Sequence, residues 1–175
     1  MKKAFLAYAK QNQEANKTIA GIIEKLSDDD REKDRKSYYK SLSGLFCHNT
    51  GATVYFVNLM KDAVSDNAAV QKAVKPLAKY QDFKGKLSAE QWKQAVSFSA
   101  SADKALVDFV NALEDKDFEA QVKLDWYKGK PPSVPLWFML EQQITHNLHH
   151  RGQMSQIFDA LKVENDYAGV NVKFM

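Results

Sequence analysis

The sequence predicts an all-α protein, a four-helix bundle with a long connection between the second and third helices and a short strand near residues 118–126. Apolar residues recur at three- and four-residue steps in four long stretches, which is the spacing of a helix with one apolar face. The hydrophobic fraction of 45% and the charged fraction of 27% are those of an ordinary folded protein. The length of 175 residues suits a single domain over residues 1–175. Four long amphipathic helices in one domain indicate a bundle.

The first half of the chain contains two of these helices. The first is predicted over about residues 2–26, and the fully charged run 28–36 that follows indicates a solvated turn or short helix. The second is predicted over about residues 37–62. Gly44 and Gly51 would each weaken an isolated helix by up to about 1 kcal/mol relative to alanine. We expect that these glycines allow a neighbouring backbone to approach.

The third helix follows a long connection. Residues 63–87 show no sustained period and contain one proline and one glycine, so they predict a connection with one or two helical turns. Ser88 and Gln91 have the spacing of a capping box, which satisfies two free backbone N–H groups at the start of a helix. The third helix is therefore predicted from Ser88 to about Glu114.

Two segments show the period of two that is typical of strands. Residues 118–126 alternate apolar and charged or polar side chains, which predicts one short strand with one buried face. Residues 170–174 also alternate, and they are the predicted partner of this strand. The fourth helix is predicted from residue 134 or 136 to about 162, because the prolines before it are well tolerated at a helix start.

Three of the four histidines lie within five consecutive residues of the fourth helix: His146, His149 and His150. His146 and His150 are four apart, so they share one helix face and form half of a site for a transition metal. His48 lies on the core-facing stripe of the second helix. A buried imidazole needs a hydrogen-bond partner or a metal. We therefore predict that His48, His146 and His150 bind a metal.

Two alternatives to this metal site remain open from spacing alone. The histidines could be separate core residues, each satisfied by a neighbouring polar group. His149 could replace His150, because it is three residues from His146, although the apolar stripe that continues beyond His150 favours His150. A metal held by three histidines keeps at least one open coordination position, which is the arrangement of catalytic sites.

Other polar residues on the helices are interpreted as structural. Cys47, the single cysteine, allows no intrachain disulfide, fits a reducing compartment and is predicted to be a small core residue. Asn12 and Asn16 are interpreted as buried hydrogen-bonding residues. The sequence contains no glycine-rich phosphate loop, no nucleophile elbow and no His-Glu-x-x-His pattern.

Charge and hydropathy exclude two classes of partner. The net charge of +3 comes from 25 basic and 22 acidic residues with interspersed signs, and no Lys/Arg block suits a phosphate backbone. The apolar run 4–9 is too short for a signal peptide, and no stretch approaches the roughly 18 apolar residues of a membrane span. We therefore expect a cytoplasmic protein that binds neither nucleic acid nor a membrane.

The sequence resembles the DinB/YfiT-like family of metal-dependent proteins in three segments, 8–16, 41–48 and 146–153. The last, a His-x-x-x-His-Arg-Gly-Gln pattern, is the most specific. The resemblance implies a four-helix bundle with an unusual connection, commonly a homodimer, and a divalent metal, nickel or zinc, bound by three histidines. Carried over position by position, these ligands are His48, His146 and His150, without His149.

The resemblance also implies a class of reaction. Members of the family include thiol transferases that use bacillithiol, and the wider superfamily includes a mycothiol-dependent isomerase. We therefore expect a metal-dependent enzyme that transfers a low-molecular-weight thiol to an electrophilic small molecule. The alternatives are a metal-dependent hydrolase and a metal-binding helical dimer without catalytic activity.

Overall fold

The computed structural model describes residues 1–124, 126–167, 169 and 172–174, and it is mostly helical. Short 3₁₀ helices cover Lys75–Lys79, Asp115–Glu119 and Val172–Phe174. In chain order the α-helices are α1 (Lys2–Ile23), α2 (Asp28–Glu32), α3 (Leu42–Ala63), α4 (Ala68–Val74), α5 (Ala89–Ala112) and α6 (Leu136–Ala160).

The four predicted helices correspond to α1, α3, α5 and α6. Helix α1 packs against α5 and α6, and α3 packs against α5 and α6, so the four helices enclose a common core. The predicted all-α fold is confirmed. The connection between α3 and α5 contains α4 and one 3₁₀ helix, as its lack of a sustained period indicated. Among the described residues, no helix combines the length and the apolar character that a membrane crossing requires.

Helix boundaries follow the capping residues. Ser88 Oγ accepts a hydrogen bond from the Gln91 backbone N–H at 3.2 Å, and Gln91 Oε1 accepts one from the Ser88 N–H at 2.9 Å, so the predicted capping box is confirmed. Helix α3 begins at Leu42, five residues later than predicted. Lys36 and Lys40 adopt φ values of +58° and +64°, which are incompatible with a helix, and Ser41 caps α3 instead.

The prediction of the strand partner was wrong. Strand β1 (Gln121–Lys123) pairs antiparallel with β2 (Ser133–Pro135), whereas Val172–Phe174 is a 3₁₀ helix and residues 170 and 171 lie outside the described residues. Strand β2 follows β1 closely in the sequence. Pairing β1 with β2 therefore closes a shorter loop than pairing β1 with the C-terminal residues would. Strand β2 is only three residues long and lies among prolines, so it has no recognisable period in the sequence.

The buried core is divided by a polar layer across the middle of the bundle. Apolar residues near the two ends of each long helix belong to two separate clusters, as Ala9 and Ile19 do on α1. Buried polar residues lie between these clusters on all four helices. They are Asn12, Asn16, Asn49, Thr50, Thr53, Ser99, Asp103, Gln143, Asn147, His150 and Arg151. Buried polar groups need hydrogen-bond partners, which can be one another, the backbone or a ligand.

Gly44 allows the loop before α3 to approach the helix, as predicted. A Cβ atom at Gly44 would lie 2.1 Å from the carbonyl oxygen of Tyr39, a backbone atom that cannot move aside alone. At Gly51 the expectation was wrong in detail, because the neighbouring group is a side chain. A Cβ atom there would lie 2.8 Å from the Tyr80 hydroxyl oxygen.

We expect Gly44→Ala to lower the free energy of unfolding by about 1–3 kcal/mol, because the added methyl group displaces the loop that carries Tyr39. The matched control is Gly21→Ala in α1, where a Cβ atom would meet nothing within 4 Å. This control is expected to raise stability by about 0.5–1 kcal/mol through helix propensity. Urea unfolding of both variants measures the difference, and equal effects would contradict the close approach at Gly44.

Candidate metal site

The structure brings three histidines together in the polar layer, one from α3 and two from α6. His48 Nε2 lies 3.3 Å from His146 Nε2 and 3.1 Å from His150 Nε2. Each residue offers one ligand atom, and the three atoms lie within 4.8 Å of one another. Nitrogen ligands of a tetrahedral zinc ion, each about 2.0 Å from the metal, lie about 3.3 Å apart. The two short separations therefore suit a shared metal ion.

A hydrogen bond fixes the tautomer of His150. His150 Nδ1 lies 2.7 Å from Gln153 Oε1, and an amide oxygen only accepts hydrogen bonds, so Nδ1 carries the proton. The neutral ring then presents an unprotonated Nε2, with its lone pair available, to His48 at 3.1 Å. Hydrogen bonding of the other ring nitrogen is how proteins orient histidines that bind metals. Gln153 therefore prepares His150 as a ligand.

Burial keeps the three imidazoles in the form that binds metals. Burial, together with the neighbouring His150 and His146, lowers the pKa of His48 to about 4. Burial also lowers the pKa of His146, with a further contribution from His150, and lowers that of His150. All three rings are neutral at neutral pH, and a neutral imidazole has the lone pair that a metal requires. The donor set can therefore hold a divalent transition metal without first losing protons.

Aromatic side chains surround the three imidazoles. The Tyr39 ring stacks on His48 with ring centroids 3.9 Å apart and an interplanar angle of 20°, and it meets the edge of His150 at 5.3 Å. Phe56 packs against His146 at 5.7 Å. These contacts restrict the ring orientations and exclude water from one side of the site. Tyr39 belongs to the loop whose backbone contacts Gly44.

Behind the histidines, a buried carboxylate connects α5 with α1. Asp103 is 2% exposed, and its oxygens accept hydrogen bonds from the side-chain amides of Asn12 at 2.9 Å and Asn16 at 2.9 and 3.1 Å. Burial raises the pKa of Asp103 to about 7, whereas the Asn16 bonds and the Arg151 charge lower it. Arg151, also buried, donates from Nη1 to Asn12 Oδ1. The Asn12 amide therefore lies between the Asp103 carboxyl group and the Arg151 guanidinium group.

The same network fixes the rotation of α6. Asn147 Nδ2 donates to Asn12 Oδ1 on α1 and to Thr53 Oγ1 on α3, each at 3.0 Å. Asn147 and Arg151 directly follow His146 and His150 in the sequence. Because adjacent helix residues differ by about 100° in direction, inward bonds at Asn147 and Arg151 direct the two histidines toward α3.

Two cavities meet at His48. One, of about 450 Å³, is lined by His48, His146, Tyr55, Phe56 and Tyr80, and is called the aromatic cavity below. The other, of about 560 Å³, lies beside the segments 34–44 and 82–87 and is called the loop cavity. A larger cavity of about 940 Å³ lies between α1 and α5, and the described residues that line it include none of the three histidines. His48 lines both of the smaller cavities and His146 lines the aromatic cavity, so we place the candidate site there.

Other residues that the sequence singled out occupy separate positions. His149 is exposed and does not belong to the cluster. Cys47 is 5% exposed, and burial raises the pKa of its thiol to about 12, so its prediction as a core residue is confirmed. Asn12 and Asn16 are buried and bonded to Asp103, as expected.

Sequence reasoning missed three residues that shape the site. Asp103 had a detectable signal, since it lies between Ser99 and Leu106 at the helical spacing of the apolar stripe. Gln153 had a weaker signal, three residues after His150. Tyr39 had none, because its contact with His48 depends on the path of a loop.

Comparison with known protein families agrees with the fold. The sequence model of the DinB family matches residues 1–163. The chain belongs to the DinB family. The match to this DinB chain includes all four long helices and His48, His146 and His150. Neither a curated protein nor a solved structure matches the DinB chain described here.

Proposed function

We propose that the protein is a metal-dependent enzyme that transfers a low-molecular-weight thiol to an electrophilic small molecule. His48, His146 and His150 are the proposed ligands of a divalent metal, nickel or zinc. The observation that carries the proposal is the convergence of three neutral imidazoles, with two Nε2 separations of 3.1 and 3.3 Å, beside two cavities. Membership of the DinB family supports it.

The residues of the chain are proposed to bind the metal, orient the imidazole rings and exclude water from the site. When bound, a divalent metal supplies a Lewis acid that favours the thiolate form of a thiol at neutral pH. Gln153 fixes the tautomer of His150, and Tyr39 and Phe56 restrict the imidazole rings. In the reaction the sulfur forms a bond to the electrophilic carbon. The bond from that carbon to its leaving group breaks with both electrons on the leaving group, and the thiol proton passes to solvent.

An assay with and without a chelator separates this function from its alternatives. We expect turnover of a thiol with 1-chloro-2,4-dinitrobenzene that EDTA removes and added zinc or nickel restores, because the three imidazoles act only through the metal. A hydrolase would instead cleave ester or amide panels without added thiol. A metal-binding dimer without catalysis would give no turnover in either assay, and this result would contradict the proposal.

We expect Gln153→Leu to weaken metal binding by about 10–100-fold, because removal of an outer hydrogen-bond partner frees the tautomer and orientation of His150. Competition with a chromophoric chelator measures this change. Gln156→Leu, at an exposed position of the same helix, is the matched control and should leave the affinity unchanged. Equal affinities of the two variants would show that the bond between Gln153 and His150 does not contribute.

A further inference from the structure

The two cavities at His48 differ in the chemistry of their walls. Both include His48, Cys47 and Asp82 in their lining, so molecules in the two cavities can both reach His48. Their volumes of about 450 and 560 Å³ lie within the range of small-molecule sites. A transfer between two molecules needs both to be held next to each other in a fixed orientation.

The aromatic cavity offers flat apolar surface. Tyr55 and Phe56 lie edge to face with ring centroids 5.5 Å apart, and Trp126 packs against both, at 5.9 and 6.4 Å. Tyr55 is 44% exposed, whereas Phe56 is 8% exposed. Aromatic walls of this kind favour a flat apolar molecule over a charged one.

The carboxylates and the lysines of the loop cavity differ in their ion pairing. Its acidic side chains already have partners: Glu32 accepts from Arg31 and Ser43, each at 2.7 Å, Asp34 lies 4.0 Å from Lys36, and Asp82 lies 3.4 Å from Lys84. Lys40 and Lys86 also line this cavity, and they form no ion pair within the part of the chain that the structure describes. Two ammonium groups that line a cavity and have no ion-pair partner among the described residues can attract an anion.

We propose that the two cavities bind the two substrates separately, an anionic thiol in the loop cavity and a flat apolar electrophile in the aromatic cavity. This assignment rests on the proposed function. Lys40 and Lys86 bind a carboxylate of the thiol, which places its sulfur beside His48. Tyr55 and Phe56 hold the electrophile in the aromatic cavity, which His48 also lines. Both molecules then lie next to His48, one of the proposed metal ligands, at once.

Binding measurements test the assignment without turnover. The probes are N-acetyl-L-cysteine as an anionic thiol, cysteamine as a cationic thiol of similar size, and 1,3-dinitrobenzene as a flat molecule with no leaving halide. Isothermal titration calorimetry measures each Kd with the protein incubated with zinc. We expect each of N-acetyl-L-cysteine and 1,3-dinitrobenzene to bind with the same affinity when the other is saturating.

Two variants should separate the cavities. Lys40→Glu combined with Lys86→Glu should weaken the binding of N-acetyl-L-cysteine by about tenfold at low salt. The affinity for 1,3-dinitrobenzene should stay unchanged. Cysteamine, which carries the opposite charge, should not bind more weakly to this variant. Tyr55→Ala should weaken the binding of 1,3-dinitrobenzene by about tenfold and leave the affinity for N-acetyl-L-cysteine unchanged.

The matched controls are Lys3→Glu with Lys25→Glu, which makes the same charge change elsewhere, and Tyr8→Ala, which removes a tyrosine of similar exposure, 42%. Both should leave all affinities unchanged. Competition between the two probes, failure of either to bind, or one variant weakening both would overturn the assignment. Absence of metal or of turnover, with separate binding intact, would instead contradict the proposed function and leave the two binding cavities established.

Discussion

Replacing His146 and His150 together with alanine is expected to abolish stoichiometric metal binding while the bundle stays folded. The two residues supply two of the three nitrogen atoms that converge on the centre of the polar layer. Loss of an outer hydrogen-bond partner alone costs about 10–100-fold in metal affinity, so the loss of two ligands should exceed about 100-fold. Metal analysis of the purified variant, together with its circular dichroism spectrum, measures both effects.

His149→Ala is the matched control for this experiment. His149 lies on the same helix within three residues of His146 but is exposed and outside the cluster. Its replacement should leave the metal content unchanged. Metal retained by the double variant, or lost from the His149→Ala protein, would contradict the assignment of the three ligands.

The second large effect is expected at Asp103, in the network behind the histidines. At pH 8 the carboxylate is ionised, and Asp103→Ala would leave the side-chain amides of Asn12 and Asn16 without an acceptor and Arg151 without its nearby opposite charge. Breaking a buried charge network in this way costs about 3–5 kcal/mol. Urea unfolding at pH 8 measures the loss.

Asp108→Ala is the control for Asp103. Asp108 lies on the same helix, and its ion pair with Lys104 at 2.5 Å is partly solvent-exposed, so its loss should cost about 1 kcal/mol or less. If the two substitutions had equal effects on stability, the buried network would not hold α5 against α1. A further expectation is that Asp103→Ala weakens metal binding, since the network orients α6.

Much of the site could be predicted because helical periodicity indicates which side chains of a helix face the core. His48, His146 and His150 each continue an apolar stripe, so the sequence alone indicated that they face inward. The resemblance to a family implied the same three ligands that the stripes selected, and the match over residues 1–163 confirms the family.

The features that sequence reasoning missed depend on contacts between distant segments. The position of Tyr39 on His48 follows from the loop before α3, where Lys36 and Lys40 adopt positive φ values that their residue type does not predict. The partner of β1 was wrong for a similar reason, because a period of two identifies a strand and does not identify the strand beside it. Asp103 was detectable in principle, as an acidic residue on an apolar stripe.

The most direct test of the account is the metal content of the protein purified without a polyhistidine tag, incubated with zinc or nickel and dialysed. We expect about one metal ion per chain, held by three histidines with an open position. The same treatment of the His146→Ala, His150→Ala variant should leave none. A wild-type protein that retains no metal after this treatment would contradict the central claim.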